Sequence, residues 1–142
     1  MSEPAVKFEI RGHVAVITLN RPDNANVLNL AMGHELSVAA SACAANPQVR
    51  AVVLTGNGKH FCFGGDLRGM MSEGGAVDAH LRKLTQALHQ AILHFARMDA
   101  PLIAAVNGTA AGGGLGLVTM ADMALCAENS RFSLAYSGVA LT

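Results

Sequence analysis

The chain has 142 residues, 51% of them apolar and 14% charged, with ten acidic residues against ten basic ones. That length and apolar share suit one domain around one main core, and the charge balance leaves no global field to recruit nucleic acid or an anionic membrane. Cys43, Cys62 and Cys126 lie far apart, in no C-x-x-C pair and at no metal-ligand spacing from a histidine; they read as buried free thiols of a reduced, cytoplasmic compartment, with no metal site.

Met1-Ser2-Glu3-Pro4 lacks the basic region and apolar run of a signal peptide. Asn, Gly or a charge interrupts every apolar stretch before about 18 residues, so no membrane span is expected. Val6 to Ile10 and the β-branched run Val14 to Leu19 flank Arg11-Gly12-His13 and predict a hairpin. Asn20 to Asn29 is Asn-rich and contains Pro22; Met32, Leu36, Ala39 and Cys43 then recur at helical spacing until Asn46-Pro47. Ala51 to Thr55 is a continuous apolar run ended by Gly56-Asn57-Gly58, as in a strand covered on both faces.

The segment Phe61-Cys62-Phe63-Gly64-Gly65-Asp66-Leu67 follows, with a short helix predicted over Asp66 to Met71 and a loop over Ser72 to Ala76. A long helix carries Leu81, Leu84, Leu88, Ile92 and Phe95 on one stripe, with Arg82, Lys83, Gln86 and Gln90 off it. Pro101 opens a strand over Leu102 to Val106. A second glycine segment, Asn107-Gly108-Thr109-Ala110-Ala111-Gly112-Gly113-Gly114-Leu115-Gly116, then opens a helix through Leu117, Val118 and Met120, and Met123 to Cys126 and Phe132 to Leu134 predict further strands. Strands alternating with helices argue for an α/β fold with a mostly parallel sheet flanked by helices. The apolar run Gly138 to Thr142 closes the sequence without a polar tail and reads as part of a longer chain.

Glycine-rich loops after strands first raise nucleotide binding. A P-loop needs Lys and then Ser or Thr, but His60 follows Lys59 and Leu115 follows Gly114, and no G-x-G-x-x-G is present. Two readings remain for Gly112 to Gly114: close packing of a helix start on a strand, or free N–H groups that stabilise negative charge on a ligand oxygen. Gly64 and Gly65 repeat the same design. Asp66 reads as a helix cap ahead of an acid or base, Asp122 as a turn residue, and His60 as an exposed loop histidine. His89 and His94 fall on different helix faces, and no G-x-S-x-G elbow supports a serine hydrolase.

Taken together, Val14 to Pro22, Asn26-Val27-Leu28-Asn29, Val49 to Gly56, Phe61 to Leu67 and Val106 to Gly114 resemble the crotonase, or enoyl-CoA hydratase/isomerase, superfamily, over almost the whole chain and in family order. The resemblance implies a crotonase-like spiral of ββα units, here residues 1–142 as the N-terminal core without the family's C-terminal helical part, in a homotrimer or hexamer. It implies acyl-CoA thioesters as substrates, coenzyme A being part of the substrate and no further cofactor needed. By that resemblance the thioester oxygen lies between the N–H groups of Gly65 and Gly113. Phe63, Gly64, Gly65, Asp66, Leu67, Arg68, Gly112 and Tyr136 line the substrate path, and Asn26, Val27 and Leu28 approach the CoA nucleotide.

The departures bear on the reaction. Hydratases of the family carry one glutamate where this chain has Gly116 and a second where it has Tyr136, and water addition needs acid and base groups within about 3 Å. Arg131 to Thr142 resembles instead the branch of enoyl-CoA and ring-epoxide phenylacetyl-CoA isomerases, whose members place an Asp or Glu just beyond the residue corresponding to Thr142. The expectation is an isomerase or hydratase/isomerase of fatty-acid or aromatic-acid catabolism. Two alternatives stay open: a non-catalytic acyl-CoA-binding or assembly protein of the same fold, and an enzyme using the two donors for decarboxylation, thioester hydrolysis or dehalogenation.

Overall fold

The computed structural model describes residues 3–72 and 77–139. Strands β1 (Val6–Arg11) and β2 (Val14–Leu19) form the predicted hairpin, antiparallel with Val6 opposite Leu19 and Arg11 opposite Val14. A single 3-10 turn at Pro22–Asn24 leads to helix α1 (Leu30–Ala45), whose first turn is capped by the Asn29 side chain accepting the Met32 N–H at 2.9 Å. Then come β3 (Ala51–Gly56), the short helix α2 (Leu67–Ser72) and the long helix α3 (Val77–Arg97). The chain continues through β4 (Leu102–Val106), β5 (Ala110–Ala111), α4 (Gly113–Thr119), β6 (Met123–Cys126) and β7 (Phe132–Ser133), with a 3-10 turn at Ser137–Val139. Of the loop expected over Ser72 to Ala76, Ser72 ends α2 and the rest lies outside the described residues.

The main sheet has the order β1-β2-β3-β4-β6 and is parallel from β2 onward. Period-2 alternation sends Ala15, Ile17 and Leu19, Val52 and Leu54, and Leu102, Ala104 and Val106 to one fully buried face. Helix α1 buries Met32, Leu36, Ala39, Ala40 and Cys43 in the same core. Glycine at 33 lets α3 come close: a Cβ there would lie 3.3 Å from both Ala87 Cβ and Leu84 Cδ1.

Three expectations are corrected here. Strand β3 is fully covered on one face only, with Ala51, Val53 and Thr55 half-buried, because the helices pack on the opposite side. The α3 residues in the core are Leu84, Ala87, Ala91 and Phe95, whereas Leu81, Leu88 and Ile92 are half-buried; small residues face α1, and part of the leucine stripe turns elsewhere. Cys43 and Cys62 are buried free thiols, but Cys126 is exposed on β6, all four residues of which are exposed.

A second, two-stranded sheet was not foreseen. Strands β5 and β7 pair in parallel, Ala110 with Phe132 and Ala111 with Ser133, and tie the second glycine segment to the chain beyond Arg131. Among the described residues no helix is long and apolar enough to cross a membrane, and no cluster of three or more His, Cys, Asp or Glu could hold a metal ion.

Candidate functional site

The first glycine segment is held by its neighbours on every side but one. The Leu28 N–H donates to the Gly64 carbonyl at 2.7 Å, and the Leu28 carbonyl accepts the Asp66 N–H at 2.9 Å. Both flanks of Gly65 are thereby fixed, while the Gly65 N–H itself finds no acceptor among the described residues. The Gly64 N–H faces the Cys62 sulfur at 3.5 Å. Gly64 has φ +87°, a conformation that L side chains rarely adopt.

The second segment is fastened at both ends. Asn107 accepts the Gly56 N–H at 3.1 Å through Oδ1 and donates through Nδ2 to the Gly58 carbonyl at 2.9 Å. The Ala110 and Gly112 N–H groups donate to the Arg131 and Ser133 carbonyls, each at 2.9 Å, and the Ala111 N–H to the Cys62 carbonyl at 2.9 Å. Helix α4 starts at Gly113, so its N–H is an orphan donor of the first turn, and no acceptor for it lies among the described residues.

The two segments abut backbone to backbone. A Cβ on Gly64 would lie 2.8 Å from the Ala111 oxygen and 3.1 Å from the Gly113 nitrogen, and one on Gly114 would collide with the Cys62 carbonyl. Gly114 thus serves close packing, while the Gly113 N–H is left without an acceptor among the described residues.

Gly65 and Gly113 border one cavity of about 220 Å³, which Leu28, Phe63, Leu67, Gly112 and Tyr136 also line. Val27, Asp66 and Arg68 line a second cavity of about 390 Å³, and Phe63, Gly65 and Leu67 belong to both, so the two adjoin. Gly64 is buried behind the rim and lines neither.

Asn26 is the candidate that the fold draws away. It is fully buried, its Oδ1 accepting the Arg21 N–H at 2.8 Å and its Nδ2 donating to the Asn57 and His60 carbonyls at 2.9 and 2.8 Å. Its side chain braces the loop beneath the site. Sequence reasoning also missed Met70, Leu81, Leu84, Thr85, Leu88 and Ala135, all of which line the first cavity. The α3 stripe was the available signal, since it already held Leu81, Leu84 and Leu88 on one face.

Asp66 is held as a structural group. It caps α2 by accepting the Gly69 N–H at 3.0 Å and pairs with the Arg21 guanidinium at 3.3 Å, while Arg21 also donates to the Val27 carbonyl at 2.7 Å. Burial pushes the Cys62 thiol up to about 12 against the opposing effect of the Gly64 N–H, so it stays protonated at neutral pH. His60 is half-buried rather than exposed: its Nδ1 has no hydrogen-bond partner among the described residues, and its ring lies 4.5 Å from that of Phe63. Asp122, read as a turn residue, accepts the Leu102 N–H at 2.7 Å and anchors the start of β4.

Among the described residues no carboxylate lines the 220 Å³ cavity. Gly116 faces open space, with nothing within 4 Å of the position a Cβ would take, and Tyr136 lines the cavity with its ring near Gly112. Two unpaired N–H donors at the wall of a mostly apolar cavity can stabilise charge that develops on an oxygen held there; they cannot by themselves move a proton.

Residues 9–141 match the family model described as enoyl-CoA hydratase/isomerase. The chain belongs to that family. Over 141 residues it is 41% identical to a "Probable enoyl-CoA hydratase" of Rhodobacter capsulatus, covering 99% of this chain and 53% of the relative. It is 34% identical over 127 residues to the peroxisomal Delta(3,5)-Delta(2,4)-dienoyl-CoA isomerase of Arabidopsis thaliana, covering 83% and 46%. The crystal structure of an enoyl-CoA hydratase of Mycobacterium smegmatis superposes with a TM-score of 0.90 at 36% identity, over 98% of this chain and 54% of that one. The fold is thus the crotonase fold, and the chain spans about half the length of the enoyl-CoA hydratase/isomerase relatives it matches.

Proposed function

We propose that this chain carries the charge-stabilising half of an acyl-CoA site, with the thioester oxygen accepting hydrogen bonds from the Gly65 and Gly113 N–H groups. The observation that carries this reading is that both donors are free and border the same cavity. When a proton leaves the carbon next to the thioester, negative charge moves onto that oxygen and both hydrogen bonds strengthen. Losing one such donor typically costs about 3 to 4 kcal/mol of transition-state stabilisation. The acyl group occupies the 220 Å³ cavity, and the pantetheine and nucleotide of CoA run along the path past Leu67, Arg68 and Val27.

For the whole protein we favour double-bond isomerisation over water addition, in a homotrimer or hexamer of the cytoplasm. Glycine at 116 and tyrosine at 136, with no carboxylate in the cavity among the described residues, support that preference. The same absence favours the second reading, a non-catalytic acyl-CoA-binding protein. Assays with 3-enoyl-CoA and 2-enoyl-CoA separate these cases. Isomerisation of the 3-enoyl substrate supports the first reading, and rapid hydration of the 2-enoyl substrate without isomerisation overturns it. Thioester binding with no exchange of the α or γ protons in heavy water establishes the second.

A further inference from the structure

One wall of the cavity is built by α3, from Leu81, Leu84, Thr85 and Leu88 at helical spacing. Thr85 looks like a polar contact, but its one O–H proton is shared between the Leu81 and Arg82 carbonyls at 2.9 and 3.0 Å, which leaves it no donor for a ligand anion. No Asp, Glu, Lys, Arg or His lines this cavity among the described residues. A cavity of about 150 Å³ lined by aliphatic residues is enough to hold benzene; this one is about 220 Å³.

On the reading that the donors hold a thioester, we infer that this chain selects neutral hydrocarbon acyl groups of roughly ring size or hexanoyl length, with Thr85 as a specificity-determining residue that excludes carboxylated acyl groups. With both N–H donors taken by the thioester oxygen, a second carboxylate would find no cationic partner among the described residues that line this cavity, which is costly in an apolar setting. Each buried methylene raises affinity about fourfold until the cavity is full.

Calorimetric titration of the full chain with CoA and with acetyl-, butyryl-, hexanoyl-, phenylacetyl-, hexadecanoyl- and succinyl-CoA tests this. The expected result is that hexanoyl- and phenylacetyl-CoA bind at least tenfold tighter than acetyl-CoA, and succinyl-CoA at least tenfold weaker than butyryl-CoA. Thr85→Lys, shown by its thermal melt to be folded, is expected to shift the succinyl-to-butyryl affinity ratio at least tenfold toward succinyl. Equal binding of succinyl- and butyryl-CoA, tightest binding of hexadecanoyl-CoA, or an unchanged ratio in a folded Thr85→Lys overturns the inference alone. Failure of every thioester to bind better than CoA overturns the thioester reading and this inference with it.

Discussion

Leu28 grips Gly65 from both sides: its N–H holds the Gly64 carbonyl and its carbonyl holds the Asp66 N–H, an isolated parallel bridge outside either sheet. Both flanks of the Gly65 N–H, unpaired among the described residues, are thus tied to one residue, and those bonds set its direction.

Gly64→Ala is expected to damage both stability and binding. The added carbon would meet the Ala111 oxygen at 2.8 Å, and the φ of +87° is unfavourable for alanine; such strain costs about 1 to 3 kcal/mol. Urea denaturation measures the loss, and titration with a saturated acyl-CoA is expected to show weakened binding in whatever fraction remains folded.

Asn26→Ala is expected to be more severe for stability than its loop position implies. It unpairs the Arg21 N–H and the Asn57 carbonyl, leaves the His60 carbonyl only its longer bond of 3.3 Å from Asn107 Nδ2, and places alanine at φ 52°. With each unsatisfied buried group costing about 1 to 3 kcal/mol, the total should reach about 3 kcal/mol or more. A loss below about 1 kcal/mol in chemical denaturation would contradict a bracing role.

The hairpin, the parallel strands and both glycine segments were legible because each has a strong local signature: alternation, a β-branched run, or a glycine cluster between elements. Strand β5 was not, since a two-residue strand has no period to read, and the strand expected at Phe132 to Leu134 forms as β7 but with a partner that the sequence did not name. The double duty of α3 was hidden for a related reason. Leucines at helical spacing look the same whether they face a core or a cavity, and only the Ala87 and Ala91 contacts with the interior show that the stripe is shared. Asn26 was misread because an asparagine beside a binding loop offers the same atoms to a ligand as to a neighbouring backbone.

Thiol chemistry gives a third prediction. At about pH 7.5, below the ordinary thiol range, native protein should react with a maleimide at Cys126 and resist at Cys43 and Cys62, which are buried. Mass spectrometry of labelled peptides before and after unfolding checks the assignment.

Alkaline pH gives a fourth. Below about pH 8.5 the thiols keep their protons in both states and add no pH dependence. As pH rises further, the unfolded chain releases protons that Cys62 and Cys43 retain up to about 12 and about 11. The folded state then binds more protons than the unfolded one, so stability falls with rising pH. Denaturation midpoints across this range should decline less steeply in Cys62→Ala than in the parent, whatever its stability at neutral pH.

Gly116→Glu tests whether the fold would accept the carboxylate that hydratases of the family carry there. Position 116 lies inside α4 with nothing within 4 Å of an added carbon, and replacing helical glycine gains up to about 1 kcal/mol. The thermal midpoint should be unchanged or higher; a fall of several degrees would show that the open space is not usable.

The pairing of Ala110 and Gly112 with Arg131 and Ser133 has a consequence for biosynthesis. Everything through α4 can emerge from a ribosome while the loop that presents the Gly113 donor still lacks its outer support. That support comes from the Arg131 and Ser133 carbonyls, and Ala135 and Tyr136 just beyond them line the cavity. A chain in which β7 has not yet paired with β5 is therefore expected to capture ligand poorly, and a bound ligand is expected to strengthen that pairing.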